Sequence, residues 1–293
     1  MGMKLSVFYD HVLDASRQSG KSLVEILTEA KNAGISAVEI NHDNIARQPE
    51  MLPAIRQAGL AISGSFLFYN FGGDEYGDER RMREQIDTAK SLGAKCVLFV
   101  PGFLEDADAR ALNALLDEYR EDLKNPVAME RLDAFMKNCR SIMQITEMLR
   151  RGVEYAKEQG ITVVLEDFDG YRAPFARTLP LLWFMQNVEG LRFALDTGNF
   201  AYGDESVEEA YELLADYIVH VHCKDRGAEA GCENNRAKKG MAPVAAGDGY
   251  LPLCKYARIL LDRGYDGYFA IEHYGKIDQN KAILRSAENL LQA

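Results

Sequence analysis

The sequence contains no apolar run approaching the ~18 residues of a membrane-spanning helix. Its N-terminus, MGMKLSVFYDHVLD, lacks the basic flank and long apolar centre of a secretory signal. A soluble, cytoplasmic protein with no membrane partner is expected. Cysteine is scarce: the five thiols (Cys96, Cys139, Cys223, Cys232, Cys254) are odd in number and show no C-x-x-C spacing, which argues against a disulfide framework and against a thiolate zinc site. No cluster of Lys and Arg interleaved with aromatics occurs, and 34 basic residues against 45 acidic ones leave a net charge of −11. Such a surface repels a phosphate backbone, so no nucleic acid partner is expected. Nor does a G-x-G-x-x-G turn follow the first apolar run, which argues against an open, doubly wound dinucleotide-binding sheet.

What is present is a weak repeat of helical stretch, glycine and β-rich apolar run. It reads AKNAGISAVEI (30–40), IRQAGLAISGSF (55–66), AKSLGAKCVLFV (89–100), AKEQGITVVLED (156–167), NVEGLRFALD (187–196) and LDRGYDGYFAIE (261–272). Glycine just past a last helical turn ends the helix in the left-handed conformation, and a short Val/Ile/Leu/Phe run after it suits a buried parallel strand. Strands are predicted at Leu5–Tyr9, Ala37–Asn41, Ala61–Phe66, Cys96–Val100, Thr162–Glu166, Arg192–Asp196, Ile218–His222 and Phe269–His273. Eight strands alternating with helices predict one α/β domain over residues 1–293, a closed (β/α)₈ TIM barrel. The fourth connection, from Glu105 to Gln159, is long enough for an extra helical insertion, with a break at Asn125-Pro126. Trp183, in LPLLWFMQ, reads as a packing residue. The Gly-rich, charged segment Arg226–Tyr250 follows the seventh strand, on the face where barrels bind substrate, and is expected to fold over the site.

Four metal-type side chains stand near the ends of successive runs. Glu166 closes ITVVLED, Asp196 closes LRFALD, His222 lies in YIVHVHCKD and Glu272 closes YFAIEH. Parallel strands that close a barrel bring their ends together, and three carboxylates with one imidazole suit a hard or borderline divalent cation. Mn²⁺ or Mg²⁺ fits best, with Co²⁺ or Zn²⁺ as alternatives. His220 lies two residues before His222 and so faces the same side of the strand. The residue nearer the strand's end is the better ligand candidate, which leaves His220 either to support a ligand from behind or to fill the barrel.

GITVVLED, FALDTGN, HVHCKD, GDGYLPL and RGYDGYFAIEHY together resemble the xylose isomerase-like TIM barrel superfamily, in its sugar phosphate isomerase/epimerase branch. The resemblance covers nearly the whole chain and is strongest from Gly160 to Tyr274. It implies that Glu166, Asp196, His222 and Glu272 bind one divalent metal, and that Lys224 and Asp225 complete an H-x-K-D match. Two departures stand out. Where many sugar epimerases place a histidine three residues after the metal-binding aspartate, this chain has Asn199, which donates a hydrogen bond but carries no proton at neutral pH. Where ketose 3-epimerases place an arginine six residues after the metal-binding histidine, this chain has Ala228, and Arg226 is the nearest substitute.

The implied chemistry is proton abstraction next to a carbonyl, through an enediolate, with Glu166 and Glu272 as the acid/base pair and a small sugar or polyol as substrate. Asn199, His42, Lys224, Asp225 and Arg226 are the substrate-binding candidates, and the ends of the first three strands add Tyr9, Asp10, His11, Asn41 and Phe66 to Tyr69 as further substrate-side candidates. The main alternative is a dehydratase of the inosose or dehydroshikimate type on the same ligands. An AP endonuclease with three zinc ions would need more histidines than the five present, and a sugar-binding barrel without turnover completes the set. Barrels of this kind often form homo-oligomers.

Overall fold

Eight strands form the frame of the molecule: β1 (Lys4–Phe8), β2 (Ile35–Asn41), β3 (Ala61–Phe68), β4 (Cys96–Val100), β5 (Thr162–Glu166), β6 (Arg192–Asp196), β7 (Ile218–Cys223) and β8 (Tyr268–Ile271). In the computed structural model, which describes residues 2–71, 75–233 and 236–293, each strand runs parallel to its neighbours. β1 pairs with both β2 and β8, so the sheet closes. The expected (β/α)₈ barrel is present, and the strand ends match the prediction within a few residues. β8 stops at Ile271, so Glu272 and His273 lie just past its end, where the backbone is free to turn into the mouth. No described helix is long and apolar enough to cross a membrane.

Helices occupy the outside because the strands bury apolar side chains on that face too. Leu5, Val7, Val38, Ile40, Val163 and Leu165 are fully or almost fully buried, as a parallel sheet covered by helices requires. The fourth connection carries three helices, Asp106–Glu118, Pro126–Asn138 and Arg140–Gln159. The break at Asn125-Pro126 is there: Pro126 opens its helix, and the Asn125 side chain accepts from the Val127 N–H. The helical sequence after that break is itself divided at Cys139, whose backbone is extended at φ −85° and ψ 113°. Neither Pro nor Gly marks that point. The turn lets Pro126–Asn138 pack on the first inserted helix and on Thr178–Asn187, while Arg140–Gln159 packs on Glu75–Ser91 and β5. Trp183 is buried among these helices and donates from Nε1 to Asp133 Oδ1 at 2.9 Å.

The segment after β7 is more ordered than expected. Arg226–Gly227 pairs with Ala242–Pro243, and Ala230–Glu233 with Arg236–Lys239, each as a two-stranded antiparallel ribbon. Asp225 anchors its ends, accepting from the N–H groups of Arg226 (2.7 Å), Gly247 (3.0 Å), Gly249 (2.9 Å) and Leu251 (3.3 Å).

Arg140–Gln159 packs closely against Phe99 of β4. A Cβ at Gly152 would lie 2.6 Å from the Phe99 ring and 2.8 Å from Met82 Sδ, so only glycine lets the helix approach this closely. Gly152→Val is expected to destabilise the barrel by about 1–3 kcal/mol through overpacking. Urea unfolding with an unshifted midpoint would contradict this close approach.

Candidate metal centre at the barrel mouth

Four consecutive strands deliver four side chains to one point. β5, β6, β7 and β8 are direct neighbours in the barrel, and their register sets Glu166 beside Ala194 and Asp196 beside His222. Past the end of β8, the Glu272 N–H still donates to Cys223 O at 3.2 Å, which holds that residue at the rim. As a result, one ligand atom from each of Glu166, Asp196, His222 and Glu272 lies within 4.8 Å of all the others. His222 Nδ1 is 2.5 Å from Glu166 Oε1 and 3.3 Å from Glu272 Oε2.

Asp196 is set by its own turn. Its Oδ1 accepts from the N–H groups of Gly198 (2.7 Å) and Asn199 (2.8 Å), while its backbone N–H donates to Asp167 Oδ1 at 2.9 Å. Asp196 Oδ2 is buried and makes no hydrogen bond among the described residues; Lys224 Nζ approaches it as a charge contact at 3.3 Å. A buried carboxylate oxygen without a donor, beside two further carboxylates and an imidazole, is a donor set that fits a divalent cation.

Burial dominates the electrostatics. It pushes Asp196 up to about 6, against the pull of Lys224, and raises Glu166 and Glu272 above the usual carboxylate range. Burial also lifts Asp167 well above that range, reinforced by the charges of Asp196 and Glu166. It works against the charged form of His222, yet the Glu166 and Glu39 carboxylates hold that imidazole well above its ordinary value. Lys224 follows the same pattern: burial disfavours its charge, while Asp196 and Glu272 favour it more. Lys224 Nζ lies 2.7 Å from Glu272 Oε1 and donates to Asn199 Oδ1 at 2.9 Å.

Glu39, on β2, is the residue that the sequence reading missed. Its side chain is 1% exposed and reaches across the barrel to His220 Nε2 at 2.7 Å and His222 Nε2 at 3.2 Å. Burial opposes its charge, but the two histidines hold its carboxyl below the ordinary range. His220, disfavoured as a cation by burial, is raised to about 10 by Glu39. A signal was available: an acid in the middle of SAVEIN, a strand buried on both faces, must have a partner inside the barrel.

A cavity of about 490 Å³ opens onto the centre. Its floor is polar, with Glu166, Asn199, Lys224 and Glu272, and its wall aromatic, with Phe68, Phe103 and Phe168. Phe168 meets Phe68 edge-on at 6.2 Å and Phe103 at 5.6 Å between ring centroids. Behind the centre, Phe8 stands edge-on to His222 at 4.8 Å.

The remaining candidates divide. Lys224 and Asn199 line the cavity, although Asn199 spends its oxygen on Lys224 and its amide N–H on Asp167 O at 2.9 Å. His42 is half-buried after β2, with its backbone N–H donated to Phe66 O, and does not line the cavity. Asp225 organises the loop, as its four backbone donors show. Arg226 is fully buried within that loop, donating to Gly198 O at 2.6 Å with its guanidinium 4.6 Å from the Tyr274 ring. No described residue of 227–250 lines the cavity. Tyr9 is buried, Asp10 accepts from Asn44, Tyr69 donates to Gln85, and His11 Nε2 accepts from the His273 N–H at 2.8 Å.

The family described as xylose isomerase-like TIM barrel matches residues 27–293. No curated protein matches the chain significantly. Among solved structures, a sugar phosphate isomerase/epimerase from Parabacteroides distasonis is 17% identical, with 100% of this chain and 95% of that one covered and a TM-score of 0.69. A D-allulose 3-epimerase from Methylomonas sp., in complex with D-allulose, is 13% identical over 99% and 97% of the two chains, with a TM-score of 0.67. A xylose isomerase-like TIM barrel protein from Mycobacterium smegmatis, in complex with magnesium, is 19% identical over 92% and 87%, with a TM-score of 0.60. At such identities the likeness carries the fold alone.

Because an ion that binds only the folded chain stabilises it, Mn²⁺ at about 100 times its Kd should add about 2.7 kcal/mol to chelator-stripped protein, a rise in Tm of roughly 4–5 °C. Differential scanning calorimetry with no shift at saturating Mn²⁺, Mg²⁺, Co²⁺ or Zn²⁺ would remove the metal centre.

Proposed function

The chain belongs to the xylose isomerase-like TIM barrel family, and from that premise we propose that it is a divalent-metal-dependent isomerase or epimerase of a sugar, sugar phosphate or keto-polyol. The observation that carries this reading is the convergence of Glu166, Asp196, His222 and Glu272 beneath a cavity with an aromatic wall. These four residues would hold Mn²⁺ or Mg²⁺, or in their place Co²⁺ or Zn²⁺. The ion's contribution when bound is to polarise the carbonyl of a hydroxy-ketone and stabilise the enediolate left by deprotonation.

The protein's own groups then divide the work. Glu166 and Glu272 both approach His222 Nδ1, and both are raised by burial, which makes each a stronger base than a surface carboxylate. One removes the proton beside the carbonyl. The other returns it, to the opposite face for epimerisation or to the adjacent carbon for isomerisation. Lys224, fixed by Asn199 and Glu272, offers a cationic hydrogen bond to a substrate oxygen. Phe68, Phe103 and Phe168 offer faces for the C–H side of a sugar. Asn199 itself moves no proton, which concentrates the acid/base role on the two glutamates.

A second reading has one observation behind it. Deprotonation followed by loss of a β-hydroxyl is a dehydration, and the Lys224 ammonium in the cavity floor is placed to hydrogen-bond a departing hydroxyl.

Proton NMR in D₂O distinguishes them, using stripped protein with and without Mn²⁺ or Mg²⁺ against ketoses, keto-inositols, hydroxypyruvate and ketose phosphates. Metal-dependent deuterium uptake with new sugar signals supports the isomerase or epimerase, and alkene or deoxy signals support the dehydratase. On the substrate so found, Glu272→Gln should lower kcat by about 10²–10⁴ while leaving the circular dichroism spectrum intact. Unchanged turnover in that variant would eliminate the proposed acid/base pair.

A further inference from the structure

We propose that Glu39 is a positioning residue for the metal centre: from the far side of the barrel it sets the tautomer and ring orientation of His222, so that Nδ1 is the ligating atom. This rests on the metal-dependent reading above. An ionised carboxylate only accepts hydrogen bonds, and Glu39 uses one oxygen for each histidine, Oε2 with His220 Nε2 at 2.7 Å and Oε1 with His222 Nε2 at 3.2 Å. Both Nε2 atoms are therefore donors. A neutral His222 with its proton on Nε2 carries its lone pair on Nδ1, the atom that faces Glu166 and Glu272. The opposite tautomer would set a lone pair against the Glu39 carboxylate and a proton against the metal ligands.

The surroundings leave the ring little choice. Phe8 stands edge-on to the His222 ring, and Glu39, His220 and His222 are all 2% exposed or less. His220 occupies the second oxygen of Glu39, which keeps the carboxylate from rotating away from His222. β2 contributes none of the four converging ligands, so Glu39 brings a strand outside that set into the centre.

The same three side chains also lie close enough together to share an ion of their own, and that competing role is decided by stoichiometry. Stripped wild-type protein, Glu39→Gln and His220→Gln are titrated with Mn²⁺ by isothermal calorimetry, and the histidine ¹⁵N shifts of the wild type are recorded with Mg²⁺. The expected result is one ion per chain and a 10–100-fold weaker Kd for Glu39→Gln. His220→Gln, whose amide can still donate to Glu39, should lose less than about 10-fold, and His222 should show the neutral form protonated on Nε2. Equal affinity in folded Glu39→Gln, an equal loss in His220→Gln, or His222 protonated on Nδ1 overturns the inference. So does a second ion lost with Glu39, which would make Glu39 a ligand itself. If Glu39→Gln does not fold, the wild-type ¹⁵N shifts decide alone. Absence of any ion from the wild type overturns the metal-dependent function and this inference together, whereas the outcomes before it overturn only the role of Glu39.

Discussion

Everything at the mouth of this barrel follows from crowding negative charge where water is scarce. Glu166, Asp196 and Glu272 converge within a few ångströms, with Asp167 close behind. A buried carboxylate keeps its charge only when cations or donors surround it. His222 and Lys224 supply that compensation, and each is held charged by the acids around it. The arrangement balances while the Nδ1 proton of His222 sits among the acids. On the proposed function a divalent cation would replace that proton and add one further positive charge, since a metal takes an imidazole only after the proton leaves. On that reading the site is poised between two cations.

That poise depends on the barrel. Only neighbouring parallel strands in fixed register can bring four side chains, spread over a hundred residues of sequence, to one point without long loops. The register of Asp196 with His222, and the bond from the Glu272 backbone to Cys223, set the depth of the ligands. The compensation is layered along the axis: Glu39 and His220 lie inward of His222, while Lys224 and Asn199 lie on the cavity side. A barrel interior of this family of folds is usually filled by branched aliphatic side chains. Here part of that interior is given to Glu39 and two histidines, and such a network is tolerable because each member has a partner.

How much of this was legible depended on whether the signal was local. Helix, glycine stop and apolar run lie within a dozen residues of each other, so the strands and the closed barrel could be read directly, as could Asn125-Pro126. The division at Cys139 could not, because packing of one inserted helix on its neighbours makes that turn and no local residue does. The converging set was readable because Glu166, Asp196 and His222 each stand at or near a strand's end. Glu39 was legible only as a buried acid in need of a partner; which partner it has comes from β7 across the barrel, 181 residues away. Arg226 and His42 illustrate the converse. Their chemistry suits a polyol, but a ribbon that folds back on Asp225 takes Arg226 inside, and the turn after β2 leaves His42 beside the cavity.

Asn199 shows how a departure from a family pattern acquires meaning only in context. Alone, the exchange of histidine for asparagine removes a proton carrier. In the structure, the asparagine oxygen receives the Lys224 ammonium, and its amide is tied to the Asp167 carbonyl. The position therefore aims a cation and leaves the proton transfer to others. A fixed ammonium in a half-apolar cavity interacts with a substrate oxygen far more strongly than it would in water. The three phenylalanines of the wall contribute no hydrogen bonds, so on the proposed function discrimination among polyols would rest on shape along the wall and on the few polar groups of the floor. On the proposed function, a substrate would be oriented with its oxygens toward Lys224 and the acids and its C–H face toward the rings, and in that orientation Glu166 or Glu272 would meet a carbon-bound proton.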